Sequence, residues 1–206
     1  MRQQEKNVFR LFSVIALAAV IGFSMAACGG DDDDGGGDDV TIDGWKWHIY
    51  NDSTDGGTST IAMTRGSGDD SKKLTFSGNV RKIQSQTWGY AGWGAEPDSA
   101  NLTALKNANS FSFQCKGMAR IHWVQVLTSD VTDNNYHYKL FNVTNTTEGK
   151  TITVKYSDLA QDPGWGEKKT FNKNHITRIE FQARPEDNIT GEGPFSVTMW
   201  DLKTGE

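Results

Sequence analysis

Aromatic rings and amides, rather than acids, bases or nucleophiles, are the side chains in this sequence whose placing suggests chemistry. Trp88, Tyr90 and Trp93 sit in Trp-Gly-Tyr-Ala-Gly-Trp-Gly, and Trp165 sits in Pro-Gly-Trp-Gly, a turn. Flanking glycines leave such rings unshielded, and a ring on a loop is harder to explain by packing than a ring in a strand. A flat exposed ring stacks on the axial C–H face of a sugar, while amides and charged groups bind the equatorial hydroxyls. Catalytic signatures are missing: there is no HExxH, no GxSxG, no phosphate loop and no Cys/His cluster. His48, His122, His137 and His175 are scattered. Glycoside hydrolysis needs two carboxylates facing each other across a cleft. Glu180 falls on a polar strand face, but Glu96, Asp130 and Asp133 are loop acids with no matching position. The pattern is that of a binder, not an enzyme.

Strands must carry these groups. Alternating apolar runs recur at Ser59 to Thr64, Leu74 to Phe76, Ser110 to Cys115, Ile121 to Leu127, Tyr136 to Val143, Thr151 to Val154, Thr177 to Ala183 and Phe195 to Leu202. Gly, Asn, Asp and Ser clusters separate them, and no 3.6-residue period is sustained; Ser99 to Ala108 fits one short helical turn. Many short strands in one domain predict an all-β fold, an antiparallel β-sandwich or a barrel. Period two then sorts the faces. Thr177, Ile179, Phe181 and Ala183 point one way, and Arg178, Glu180, Gln182 and Arg184 the other. Val124 and Val126 read as core, with Trp123 and Gln125 opposite. Tyr138 and Leu140 read as core, leaving His137 and Lys139 outside. Trp45, Trp47 and Trp200 lie near the ends of the domain and are expected to be structural.

The chain begins with a basic stretch (Arg2, Lys6, Arg10) and an apolar run from Leu11 to Met25. That run is about fifteen residues, the length of a signal core and too short to span a bilayer. Met25-Ala26-Ala27-Cys28 resembles the lipobox of bacterial lipoproteins, which implies a signal peptide over 1–27 and a lipid on Cys28. Gly29 to Asp39 reads GGDDDDGGGDD, so 28–39 is a lipidated cysteine and an extended acidic tether. It is also similar to the acidic segments behind the lipidated cysteine of surface-exposed lipoproteins in some Gram-negative groups. The expected location is the outer membrane, lipid-anchored and surface-exposed, with the membrane touched through the anchor only.

Residues 40–206 form one domain's length. The chain carries 21 basic and 26 acidic residues, of which three and seven precede Val40, so the domain is nearly neutral. Without a basic stripe, nucleic acid is not an expected partner. Cys115 is the only cysteine left to the domain, which excludes an internal disulfide, and its alternation with Phe111 and Phe113 predicts a buried, inert thiol.

With its residues sorted this way, the domain resembles family 11 carbohydrate-binding modules and the related complex I intermediate-associated domain. The similar segments are Trp47-His48-Ile49-Tyr50-Asn51-Asp52, Gly56-Gly57-Thr58-Ser59-Thr60, Phe76-Ser77-Gly78, Gly89-Tyr90-Ala91-Gly92-Trp93-Gly94, Val124-Gln125-Val126-Leu127-Thr128-Ser129, Tyr136-His137-Tyr138, Val154-Lys155-Tyr156-Ser157-Asp158-Leu159, Ile179-Glu180-Phe181-Gln182 and Gly193-Pro194-Phe195-Ser196-Val197, closing on Trp200-Asp201-Leu202. The resemblance implies a galactose-binding-like jelly roll that holds a polysaccharide or oligosaccharide on a concave sheet, without catalysis. It matches Tyr90 and His137 to cleft positions and Trp165 to a loop tyrosine. Trp88 joins them as an unshielded ring, and Trp123, Gln125, Gln182 and Arg184 by face parity. It also implies a structural calcium, for which Asp201 is the match, although Asp43 stands alone where an acidic pair is usual. The related complex I domain keeps a protein-binding or structural envelope role open on the same fold.

Overall fold

The computed structural model describes residues 39–84, 86–144, 148–185 and 191–205. The leader 1–27, Cys28 and the tether as far as residue 38 lie outside the described residues. Among those described, eleven strands form: β1 (Val40–Ile42), β2 (Trp45–Asn51), β3 (Thr60–Arg65), β4 (Leu74–Val80), β5 (Ala91–Pro97), β6 (Ser110–Gly117), β7 (Arg120–Thr128), β8 (His137–Val143), β9 (Lys150–Lys155), β10 (Ile176–Ala183) and β11 (Gly193–Gly205). They build two antiparallel sheets, ordered β1-β2-β5-β10-β7-β8 and β3-β4-β11-β6-β9. The chain passes from one sheet to the other at most connections, giving the jelly-roll sandwich expected from the sequence.

Alternation explains most of the core. Phe76, Phe111, Phe113, Val124, Val126, Ile179, Phe181, Val197 and Met199 all turn inward from their strands and are almost wholly shielded from solvent. Trp45 and Trp47 join them, and Cys115 is buried with its thiol pKa pushed up to about 11 by burial, as an inert thiol should be. Trp200 stays on the outer face of the second sheet, under the Lys73 ammonium at 5.0 Å.

Three local readings are corrected. A register shift between Ile176 and Arg178 breaks the alternation of β10, so Ile176 takes the buried place and Thr177 is exposed. In β8 the faces are the reverse of the expectation: Phe141 and Val143 claim the core, which turns His137 inward and leaves Leu140 in solvent. Two adjacent apolar residues, Leu140 and Phe141, allow either parity, and the larger buried ring wins. The helix α1 (Ser99–Asn107) is also longer than a single turn. Asp98 caps it by accepting the Asn101 N–H at 2.8 Å, and Leu105 anchors it to the core.

Candidate functional site

The outward face of the six-stranded sheet forms the floor of a cleft of about 830 Å³. Register places its side chains in two cross-strand rows. One runs Tyr50, Gly92, Gln182, Trp123 and Leu140 across β2, β5, β10, β7 and β8; the next runs His48, Gly94, Glu180, Gln125 and Tyr138. The glycines of β5 decide the shape. A Cβ on Gly92 would collide with the Tyr50 ring, and one on Gly94 with the His48 ring. Both rings therefore lie down over β5 and reach towards β10.

That reach closes a hydrogen-bonded network. The Tyr50 hydroxyl donates to Glu180 Oε2 at 2.8 Å and accepts from Gln182 Nε2 at 3.0 Å. Arg178 Nε donates to Glu180 Oε1 at 2.7 Å, and Arg184 Nε to Gln182 Oε1 at 2.7 Å. Glu180 is only 6% exposed, so these partners supply the hydrogen bonds that water does not. Burial, and then the Glu180 charge, push the Tyr50 pKa well above its ordinary value, so the phenol stays a neutral donor.

Walls rise from opposite ends of the strands. At the end where β2 finishes and β5 begins, Trp88 and Tyr90 stand with parallel rings, 6.4 Å between centroids and 5° between planes. Tyr90 is fixed twice. Its hydroxyl donates to Asp55 Oδ2 at 2.8 Å, and its N–H donates to the fully buried Asp52 carboxylate at 3.1 Å, which also accepts from Ser59 N and Oγ. Burial and the Asp55 bond raise the Tyr90 pKa, leaving it protonated at neutral pH. At the other end, Asn134 and Tyr136 from the β7–β8 loop meet Asp162 and Trp165 from the β9–β10 connection. Trp165 is 51% exposed and Trp88 40%, high for rings that are mostly buried in folded domains.

Of the eight residues singled out for binding, Trp88, Tyr90, Gln125, Trp165, Gln182 and Arg184 line this cleft together. Trp123 faces the same way but is covered: the Tyr138 ring stacks on it at 3.8 Å and the Arg184 guanidinium lies 3.7 Å from its centroid. His137 is a correction. It points to the opposite face, where its Nε2 lies 3.0 Å from the Lys169 carbonyl and its ring meets Phe171 edge on. Trp93 is corrected too, because it is fully buried among Phe76, Phe181 and Phe195.

His48, Tyr50, Asp55, Gly89, Asn134, Tyr136, Asp162, Arg178 and Glu180 complete the lining. His48 and Tyr50 were not anticipated, although Trp45, Trp47 and Ile49 alternate with them in β2 and carry the signal that would place them. The loop residues carry no periodic signal. Around Asp201 the described residues offer a poor calcium site. Its carboxylate accepts the Gln114 amide at 3.0 Å, the nearby Asp43 is paired with Lys72 at 2.8 Å, and no three of His, Cys, Asp and Glu gather where they could hold a metal.

Comparison with known proteins places these features in a family. The family model for Complex I intermediate-associated protein 30 (CIA30) matches residues 39–199. Endoglucanase 3 of Fibrobacter succinogenes is 30% identical over 159 residues, covering 71% of this chain and only 23% of that protein. The family 11 carbohydrate-binding module of the cellulosomal cellulase Lic26A-Cel5E of Clostridium thermocellum superposes with a TM-score of 0.50 at 18% identity, over 87% of this chain and 97% of the module. A structure of the family 11 module from the same organism with a β-1,3-1,4-mixed-linked tetrasaccharide gives 0.49 at 16% identity, over 83% and 96%. The sandwich described above is the fold of the Lic26A-Cel5E module.

Proposed function

The chain belongs to the CIA30 family, and from that footing we propose that its sandwich is a non-catalytic glycan-binding domain of a lipid-anchored envelope protein. The observation that carries this reading is the cleft: two exposed tryptophans on opposing walls over a floor of buried amides, a carboxylate and a phenol. Rings of that kind present flat faces to sugar C–H groups, and the floor presents donors and acceptors to hydroxyls. The likeness to a carbohydrate-binding module supports it, as does the match to a fraction of an endoglucanase. Both oxygens of Glu180 are engaged by donors, one of them a guanidinium, which suits a carboxylate that positions and not one that delivers a proton.

Affinity electrophoresis and calorimetry against mixed-linkage β-glucan, xylan and other soluble polysaccharides test this directly. Trp88→Ala and Trp165→Ala should each weaken binding about tenfold or more, the effect of removing a ring that anchors a ligand. Absence of binding to every glycan would end the proposal. Release of reducing sugar by the purified domain would replace it with a catalytic one.

The anchor belongs to the same proposal. Met25-Ala26-Ala27-Cys28 and the aspartate tether support lipidation of Cys28 and display of the domain at the outer membrane surface. Cells labelled with a palmitate analogue should mark the wild-type protein and not Cys28→Ser, and the variant should leave the membrane fraction. A labelled Cys28→Ser variant would place the lipid elsewhere.

A further inference from the structure

We propose that Asn135, a residue with no surface of its own in the cleft, is the positioning residue for the Trp165 wall. For its effect on affinity the proposal rests on the glycan-binding reading; the geometry does not. Trp165 is half exposed, so packing of its ring does not fix its position. Its backbone does. The Trp165 carbonyl accepts from Asn135 Nδ2 at 2.6 Å, and the same amide nitrogen donates to the Asp162 carbonyl at 3.3 Å. Asn135 Oδ1 accepts the Asp162 N–H at 3.1 Å. Both donors and the acceptor oxygen of one buried side chain, three hydrogen bonds in all, are thus committed to the loop that carries the ring.

The attachment is also close. Gly166 takes a left-handed φ of 69°, and a Cβ there would strike Asn135 Cβ and Asp133 Oδ2 at 2.7 Å each. Only glycine lets the loop after Trp165 settle onto Asn135. On the other side, Asp133 accepts the Glu167 N–H, and Gln161 Nε2 donates to the Asn135 carbonyl at 2.6 Å. Asn134 and Tyr136, the chain neighbours of Asn135, both line the cleft. One inward-turned residue between two outward ones therefore ties the β7–β8 loop to the Trp165 loop and sets the width of that end of the cleft.

The test is a double-mutant cycle with soluble mixed-linkage β-1,3-1,4-glucan as probe, paired with amide hydrogen exchange on the unliganded domain. Asn135→Ala should weaken binding by about the same factor as Trp165→Ala, on the order of tenfold, and should add less than about twofold in the Trp165→Ala background. Asn135→Asp keeps the size and the acceptor but sets a carboxylate against two carbonyl oxygens, so it should match Asn135→Ala. Exchange over residues 162–167 should quicken about tenfold or more in both variants while β7 and β10 keep their protection. A full affinity loss retained in the Trp165→Ala background would make Asn135 a general structural residue and overturn the proposal. Unchanged exchange over 162–167 would overturn it as well. Should the wild-type domain bind no glycan while exchange over 162–167 quickens as expected, the positioning stands and the glycan reading falls.

Discussion

Trp93→Ala lowers the stability of the domain by about 3–5 kcal/mol and leaves the cleft as it was. Trp93 is wholly buried at the centre of an aromatic stack: Phe76 lies 4.8 Å away at 12°, Phe181 5.7 Å at 11° and Phe195 6.2 Å at 12°, with His122 edge on at 5.7 Å. Its indole N–H points to Met199 Sδ at 3.2 Å. The stack joins the two sheets, since Trp93 and Phe181 belong to one and Phe76, Phe195 and Met199 to the other. Truncation removes one of the largest core rings from between layers that cannot fully close, so both transfer and cavity costs apply. Against a total stability of about 5–15 kcal/mol this is a large share, and the melting temperature should fall on the order of 10 °C. Urea unfolding and calorimetry read the loss. A loss under about 1 kcal/mol would contradict the burial, and lost glycan affinity in a domain of unchanged stability would make Trp93 a ligand ring.

The same residue marks where sequence reasoning stopped. Trp88, Tyr90 and Trp93 occupy one glycine-rich stretch, and read as a loop they look alike. Their difference follows from β5 beginning at Ala91: from there period two governs, and Trp93 must face the core if Gly92 and Gly94 face the cleft. Glycine has no side chain to reveal its face, so the alternation that sorts β10 from Arg178 onward is silent here. Only the rings laid over Gly92 and Gly94, Tyr50 and His48 on the neighbouring strand, show why those positions are empty.

Strand residues of the cleft were otherwise legible wherever one face is plainly apolar. Gln182 and Arg184 follow from Ile179, Phe181 and Ala183, and Gln125 follows from Val124 and Val126. His137 was lost because adjacent Leu140 and Phe141 support two opposite parities. Trp123 shows a further limit: parity gives the side on which a ring lies, but not whether Tyr138 and Arg184 cover it. Asp162 and Trp165 are held by hydrogen bonds with Asn135, which lies 27 and 30 residues away in the chain, and Asn134 and Tyr136 bond to each other within the β7–β8 loop. Such pairings have no period to betray them.

The buried polar groups of the core make the second large prediction, an acid sensitivity that begins well above carboxylate range. His122 is completely buried between Phe141, Trp93 and Phe195, and neither ring nitrogen makes a hydrogen bond of good geometry. Burial first, and then the Arg120 guanidinium, push its pKa from 6.5 down to about 3; the backbone of Gln182 pulls weakly the other way. A base whose folded pKa is depressed takes up its proton more readily in the unfolded chain, so stability is full above about pH 6.5 and falls as the pH drops towards 3. Each pH unit in that window costs about 1.4 kcal/mol, or about 2 kcal/mol by pH 5. Asp70, Asp130, Asp133 and Asp158, whose pKa values are lowered from 3.8 by their partners, act in the same direction only below that value. Unfolding measured between pH 7 and 4.5 therefore isolates histidine. His137, depressed by burial and partly restored by its contact with the Lys169 carbonyl, adds a smaller part. His122→Phe and His122→Leu, which cannot titrate, should flatten most of the slope whatever their stability at pH 7. A slope in both variants equal to that of the wild type would show that protonation of His122 does not drive the loss.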